Sequence, residues 1–254
     1  MNKKKKVTTM PDLFLSPSTQ KANLYVNGGS EQYWMNRLAD EMEPYLRASG
    51  INVTRNDPDG SAVTSIRQSN RGNHDFHLSL HSNASPEALA GRIRGSIAFY
   101  YPTSISGLRM AEILIDNLKE LYPLPELARA EATTAIGELR QTRAPSVLLE
   151  LAFHDNEEDA RWIQDNLSSI AQSLALSVTE YFGVPFLTPG PERTGQVALS
   201  SGSLNLRNLP IVTSRVLRQI PNGAAVTIIN ETGAWYVVEY DGTIGFARQE
   251  FIQG

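Results

Sequence analysis

The residue types able to move protons or hold a metal ion are few in this 254-residue chain, and they are concentrated. Its four histidines fall in two places, with His74, His77 and His81 in one short segment and His154 further on. Imidazole and carboxylate are the side chains that ligate divalent metals and exchange protons near neutral pH. Glu150 interrupts the apolar run Val147-Leu148-Leu149-Glu150-Leu151-Ala152-Phe153, where an isolated ionised carboxylate is expensive to bury. A metal, a cation or a reacting proton must compensate it. It is either a general base or one half of a structural salt bridge to Arg140 or Arg143. The absence of cysteine excludes disulfides, thiolate nucleophiles and cysteine-based zinc sites, so any metal must rest on His, carboxylate or amide ligands.

The elements that must position these groups read as alternating β and α segments up to residue 182. A β run, Leu13-Phe14-Leu15, leads into the polar loop Ser16-Pro17-Ser18-Thr19-Gln20. Ser30 is a good N-cap for a helix with Met35, Leu38, Ala39, Met42 and Leu46 on one face, closed by Gly50 and open to a kink at Pro44. Glu31 lies one residue past that cap, where a carboxylate also favours the helix dipole. Residues 51–55 read as a strand and 62–69 as a short polar helix. Residues 75–81 alternate at period two, with Phe76, Leu78 and Leu80 on one side and His77, Ser79 and His81 on the other. A parallel sheet covered on both faces prefers two apolar rows, so the polar row needs a reason. For His74 and His77 that reason is a hydrogen-bonded core or edge position or a ligand role, whereas His81, at the carboxyl end, is the better ligand candidate. About 13 Å of strand separates His77 from His81, too far for one shared metal. Residues 95–101 and 146–151 read as further strands, 107–121 as a helix, and 156–182 as one long helix capped by Asn156. This alternation predicts an α/β fold: a mostly parallel twisted sheet with helices on both faces, and ligands beyond the carboxyl ends of its strands.

Residues 183–194, with Thr188-Pro189-Gly190-Pro191, read as a linker. Residues 195–254 change register to short strands at 203–207, 225–230, 235–240 and 244–248, with turns at Asn222-Gly223 and Asp241-Gly242. That is the pattern of a small all-β barrel. It has no carboxylate or His cluster and reads as a binding module.

Taken in order, several motifs resemble the zinc-dependent N-acetylmuramoyl-L-alanine amidase family: Ser30-Glu31 with Asn36 at the first helix, Ser79-Leu80-His81-Ser82-Asn83-Ala84, and Ala144-Pro145-Ser146-Val147-Leu148-Leu149-Glu150 with Phe153-His154-Asp155-Asn156. The resemblance spans residues 11–182 and gives a catalytic domain there. Leu204-Asn205-Leu206-Arg207, Ile220-Pro221-Asn222-Gly223, Trp235-Tyr236-Val237-Val238 and Gly245-Phe246-Ala247 are similar to bacterial SH3-like cell-wall-binding modules, here residues 195–254. The amidase resemblance implies zinc as cofactor, His81 and Glu31 as zinc ligands, and Glu150 as the catalytic carboxylate. The bond cut would join the muramic acid lactyl group to the L-alanine of the stem peptide. The family places a His in the loop after the first strand, and this chain has none there. Gln20, through its amide carbonyl, is the first candidate for the third ligand and His154 the second; Asn83 and His77 complete the site candidates.

An apolar share of 41%, a charged share of 20% and a net charge of −4 suit a soluble globular protein with no general attraction to polyanions, so nucleic acid is not an expected partner. No window of about 18 apolar residues is present to span a membrane. Met1-Asn2-Lys3-Lys4-Lys5-Lys6 has the charge of an export signal without the apolar stretch that should follow. The expected partner is peptidoglycan, and the expected place of action the cell wall or the exterior after release, as an autolysin or a phage endolysin. A monomer is expected. The alternative is a wall-binding or regulatory protein that kept the fold and lost the metal.

Overall fold

The structure, a computed structural model, describes residues 11–254; the lysine-rich start at Met1 to Lys6 lies outside them. Two compact units are present, one comprising Leu13–Glu43 and Val53–Tyr181, the other assembled around Phe182–Gly254 with Pro44–Asn52.

The part of the chain up to Phe182 contains, in chain order, β1 (Asp12–Pro17), α1 (Glu31–Ala48), β2 (Asn52–Arg55), α2 (Ala62–Arg71), β3 (Phe76–Asn83), β4 (Ile97–Tyr100), α3 (Ile105–Lys119), β5 (Arg129–Ala132), α4 (Gly137–Gln141), β6 (Ser146–Phe153), α5 (Glu157–Asp165) and α6 (Leu167–Phe182). Its six strands run in the order β2-β1-β3-β6-β4-β5. β1 pairs with β3 and β3 with β6 in parallel, whereas β4 runs antiparallel to β6. The sheet is therefore mixed, with an antiparallel seam between β6 and β4 that periodicity cannot reveal because strand direction leaves no mark on alternation.

Phe76 and His77, successive residues of β3, point to opposite faces. Phe76 packs edge-on against Tyr181 of α6, while His77 reaches Ser69 of α2, so both faces carry helices as predicted. Apolar stripes on α1 (Met35, Leu38, Ala39, Met42), α3 (Met110, Ala111, Leu114, Leu118) and α6 (Ile170, Ala171, Leu174, Val178) are wholly buried, which is what holds short parallel strands together. α1 continues through Pro44. Ser30 caps it, its hydroxyl accepting from the Tyr33 amide at 3.2 Å. The predicted long helix over 156–182 is instead two. Asn156 caps α5, but α5 ends at Asn166, whose backbone and side-chain amides both donate to the Trp162 carbonyl, and α6 begins afresh at Leu167.

The part of the chain beyond Phe182 carries a seven-stranded sheet: β7 (Arg193–Val197), β8 (Ser203–Arg207), β9 (Val216–Pro221), β10 (Ala225–Thr232), β11 (Trp235–Tyr240), β12 (Thr243–Arg248) and β13 (Ile252–Gln253), in the order β13-β7-β10-β11-β12-β8-β9 with antiparallel neighbours. Val197, Leu204, Leu206, Ile220, Val226, Ile228 and Val238 fill its interior. β11 and β12 join through Asp241-Gly242, both at positive φ, the tight hairpin that an Asp-Gly pair favours. β7 starts inside the stretch read as linker: Arg193 and Thr194 pair with Ile228 and Thr227 of β10.

No helix among the described residues is long and apolar enough to cross a membrane.

Candidate active site

Because β1, β3 and β6 are parallel neighbours, their carboxyl ends lie side by side. Pro17 is in register with Leu80, and His81 with Glu150. The Ser18 amide extends β1 by donating to the Leu80 carbonyl at 2.9 Å, which sets the following loop across the end of β3.

His81 is the centre of the site. Its Nδ1 lies 2.7 Å from Oε1 of Glu31 and its Nε2 3.6 Å from Oε2 of Glu138. Glu31, 1% exposed, arrives from the first turn of α1, and Glu138, 4% exposed, from α4. Burial alone would push the His81 imidazolium towards deprotonation, but the two carboxylates overcome this and hold its pKa up at about 10. His81 outweighs burial at Glu31, and His77 followed by His81 does so at Glu138, so both carboxyls lie below the usual range.

Glu150 behaves differently. Burial dominates and the Glu31 charge adds to it, so the carboxyl rises to about 7 even though His81 opposes the change. Its Oε2 is buried and has no hydrogen-bond partner. Arg140 donates to the Thr134 carbonyl and Arg143 to the Gly72 carbonyl, so neither arginine neutralises Glu150 and the salt-bridge reading is not supported. A carboxyl poised near neutrality with a free oxygen is equipped to exchange a proton with a reacting group.

Beside them, Gln20 brings its amide nitrogen within 3.4 Å of His81 Nδ1. Asn23 sets that orientation, since its amide donates both to Glu31 Oε2 at 2.7 Å and to Gln20 Oε1 at 2.9 Å. The carbonyl that would serve as a ligand therefore faces Asn23, and Gln20 must turn over to present it to a metal. His154 is 4% exposed; its Nδ1 contacts the Ser82 carbonyl at 2.8 Å and its ring stacks on Tyr25. Its contacts hold it to Ser82 and Tyr25, and it is not grouped with Glu31 and His81. The Asn83 side chain accepts from the adjacent Ala84 amide, and its carbonyl holds the His154 amide, a turn-forming role. His77 lies outside the centre, fully buried, with Nδ1 on Ser69 Oγ and Nε2 on Ser79 Oγ, each at 2.9 Å, and on Glu138 Oε1 at 3.2 Å. His74 packs against Phe14.

Sequence reasoning missed Glu138. It sits in a short polar stretch, and only the fold carries α4 to the end of β3. A cavity of about 340 Å³ opens there, lined by Ser16 to Gln20, Gly60 to Ala62, Ser65, His81 and Glu138.

Among the described residues no group of three or more His, Asp or Glu side chains is disposed to hold a metal ion. The donor set nevertheless suits one made of a carboxylate, an imidazole and an amide. Three carboxylates, Glu31, Glu138 and Glu150, surround one imidazole, and one buried carboxylate oxygen has no partner. A dication between Glu31 and His81, with Gln20 turned, would balance this excess of buried negative charge.

The sequence profile described as N-acetylmuramoyl-L-alanine amidase matches residues 18–180. The chain belongs to that family. It is thus a peptidoglycan hydrolase, acting on the amide between N-acetylmuramic acid and the L-alanine of the stem peptide. A second profile, the bacterial SH3 domain, matches residues 202–253. No curated protein sequence matches the chain. Solved structures with the same fold include the amidase AmiC2 of Nostoc punctiforme, 15% identical over 68% of this chain and 97% of that one, with a TM-score of 0.59. The catalytic domain of the CD27L endolysin, described as targeting Clostridia difficile, is 23% identical over 67% and 97%, with a TM-score of 0.55. The amidase Ami1 of Mycobacterium smegmatis is 16% identical over 69% and 98%, with a TM-score of 0.58.

Proposed function

We propose that this amidase uses Glu150 as its proton-transfer residue and that Glu31 and His81, completed by the Gln20 amide, hold a zinc ion. The observation that carries the reading is the buried, unpartnered carboxylate oxygen of Glu150 in register with His81. When bound, zinc supplies positive charge that polarises the scissile carbonyl and acidifies water. Glu150, as its carboxylate, takes the proton of the attacking water and returns it to the leaving L-alanine nitrogen, so that the amine departs neutral. Asn23 fixes Glu31 by donating to Oε2, which leaves Oε1 aimed at His81 Nδ1. Replacement of Glu150 by Ala should lower kcat on purified muropeptides by several orders of magnitude with little change in KM. A rate equal to that of the unaltered protein would dismiss the assignment.

Residues 11–182 form the catalytic module in this reading and 195–254 the module that holds peptidoglycan, with the Pro-rich stretch 183–194 as the tether whose end is taken up by β7. A tethered wall-binding module raises the local concentration of the insoluble substrate. Action at the cell wall or outside the cell follows from the substrate.

A further inference from the structure

We infer that Glu138 is a positioning residue of the active site: its carboxylate holds the His81 ring by Nε2, so that Nδ1 is the nitrogen presented to Glu31 and to the metal. This rests on the metal-site reading above and extends it to a residue outside the proposed ligand set.

The two oxygens of Glu138 have divided duties. Oε1 accepts from Ser16 Oγ at 2.9 Å and lies 3.2 Å from His77 Nε2, while Oε2 faces His81 Nε2 at 3.6 Å. The partners come from three elements: Ser16 from β1, His77 from β3, and Glu138 itself from α4. His77 is fixed in turn by Ser69 and Ser79. Glu138, Ser16, His77 and the two serines on His77 are each 5% exposed or less, so the carboxylate has little freedom to swing away.

An imidazole at the end of a strand can present either nitrogen after a ring flip. In the metal-free protein each ring nitrogen faces a carboxylate, Nδ1 that of Glu31 and Nε2 that of Glu138; a metal that displaced the Nδ1 proton would leave the Nε2 proton on Glu138 and the ring in place. A negative partner behind the ring also makes the Nδ1 lone pair a stronger donor. This bears directly on a site whose third ligand is a weak amide, because the imidazole must carry more of the affinity. The alternative is that Glu138 only satisfies buried His77. That role would engage Oε1 alone and leave His81 indifferent to the charge on Glu138.

The test compares the unaltered protein with Glu138→Gln and, because a buried substitution can disturb folding, with Ser16→Ala, which removes the hydroxyl holding Oε1 without touching His81. Zinc affinity is measured by competition with a chromophoric chelator, and the His81 ring nitrogens by ¹⁵N NMR in the metal-free protein. The positioning role predicts zinc binding weakened about 10- to 100-fold in Glu138→Gln and by a smaller factor in Ser16→Ala. It also predicts altered His81 ¹⁵N shifts in both, and a fall in kcat with KM nearly unchanged. Folded Glu138→Gln with zinc affinity within twofold of the parent and unchanged His81 shifts would overturn it. If the unaltered protein takes up no zinc, the metal assignment fails, and the metal-free ¹⁵N shifts still decide the role of Glu138.

Discussion

Replacing Glu150 by Gln should make the metal-free amidase unit more stable while removing its proton-transfer group. The carboxyl is held at about 7 against an ordinary 4.5 because burial penalises its charge. Its folded-state pKa is raised, so the stability it contributes is complete below about pH 4.5 and is lost as the pH climbs through about 7. Once the group is fully ionised, the folded protein has forfeited roughly 3 kcal/mol, since each pH unit of displacement is worth about 1.4 kcal/mol. Gln has nearly the same shape and never ionises. The advantage of Glu150→Gln should therefore be small at pH 5 and grow by about 2 kcal/mol by pH 8. The assay is urea unfolding with a zinc chelator present, followed by tryptophan fluorescence, in which Trp34 and Trp162 report on the amidase unit. A difference that does not change between pH 5 and pH 8, or a Gln variant less stable than the parent at pH 8, would refute the claim that Glu150 is a buried, uncompensated carboxylate.

A Glu150 base predicts that kcat/KM falls towards acid pH as the carboxyl is protonated, and a profile flat down to about pH 4 would contradict it. Asp159 is fully buried and accepts from Arg94 Nε, Tyr122 Oη and the Gly95 and Phe153 amides, so Asp159→Ala should cost about 3 to 5 kcal/mol in denaturant unfolding by leaving Tyr122 and the two amides without an acceptor and Arg94 with Glu158 alone. The chain ended at Phe182 should still cut soluble muropeptides but sediment less with whole cell walls; equal sedimentation would remove the targeting role from the β unit.

How much of this was legible in the sequence follows from which interactions are local. The polar row His77-Ser79-His81 within an otherwise apolar strand, and the single acid in Val147 to Phe153, mark the ends of two strands whose neighbouring positions put His81 beside Glu150. Ser30 and Asn156 announce helix starts because capping is a matter of a few adjacent residues. The break at Asn166 depends on one side chain turning back to Trp162, and the apolar period runs through it unchanged. The antiparallel β4 seam and the start of β7 inside a Pro-rich stretch are decided by distant partners. Glu138 was hidden for the same reason: nothing near it in the chain distinguishes a surface acid from one carried 61 residues back to His77. The orientation of Gln20 likewise comes from Asn23 and Glu31 acting together, a choice between the two ends of an amide that residue type alone cannot make.

The central claim is amide hydrolysis at a metal site built on Glu31, His81 and Gln20 with Glu150 as base. Mass spectrometry of the products released from purified peptidoglycan, with and without a zinc chelator, tests it most directly. The account predicts stem peptides that begin at a free L-alanine amine, and their disappearance when the chelator is present. Release of the same peptides at an undiminished rate in chelator, or no release from metal-replete protein, would contradict it.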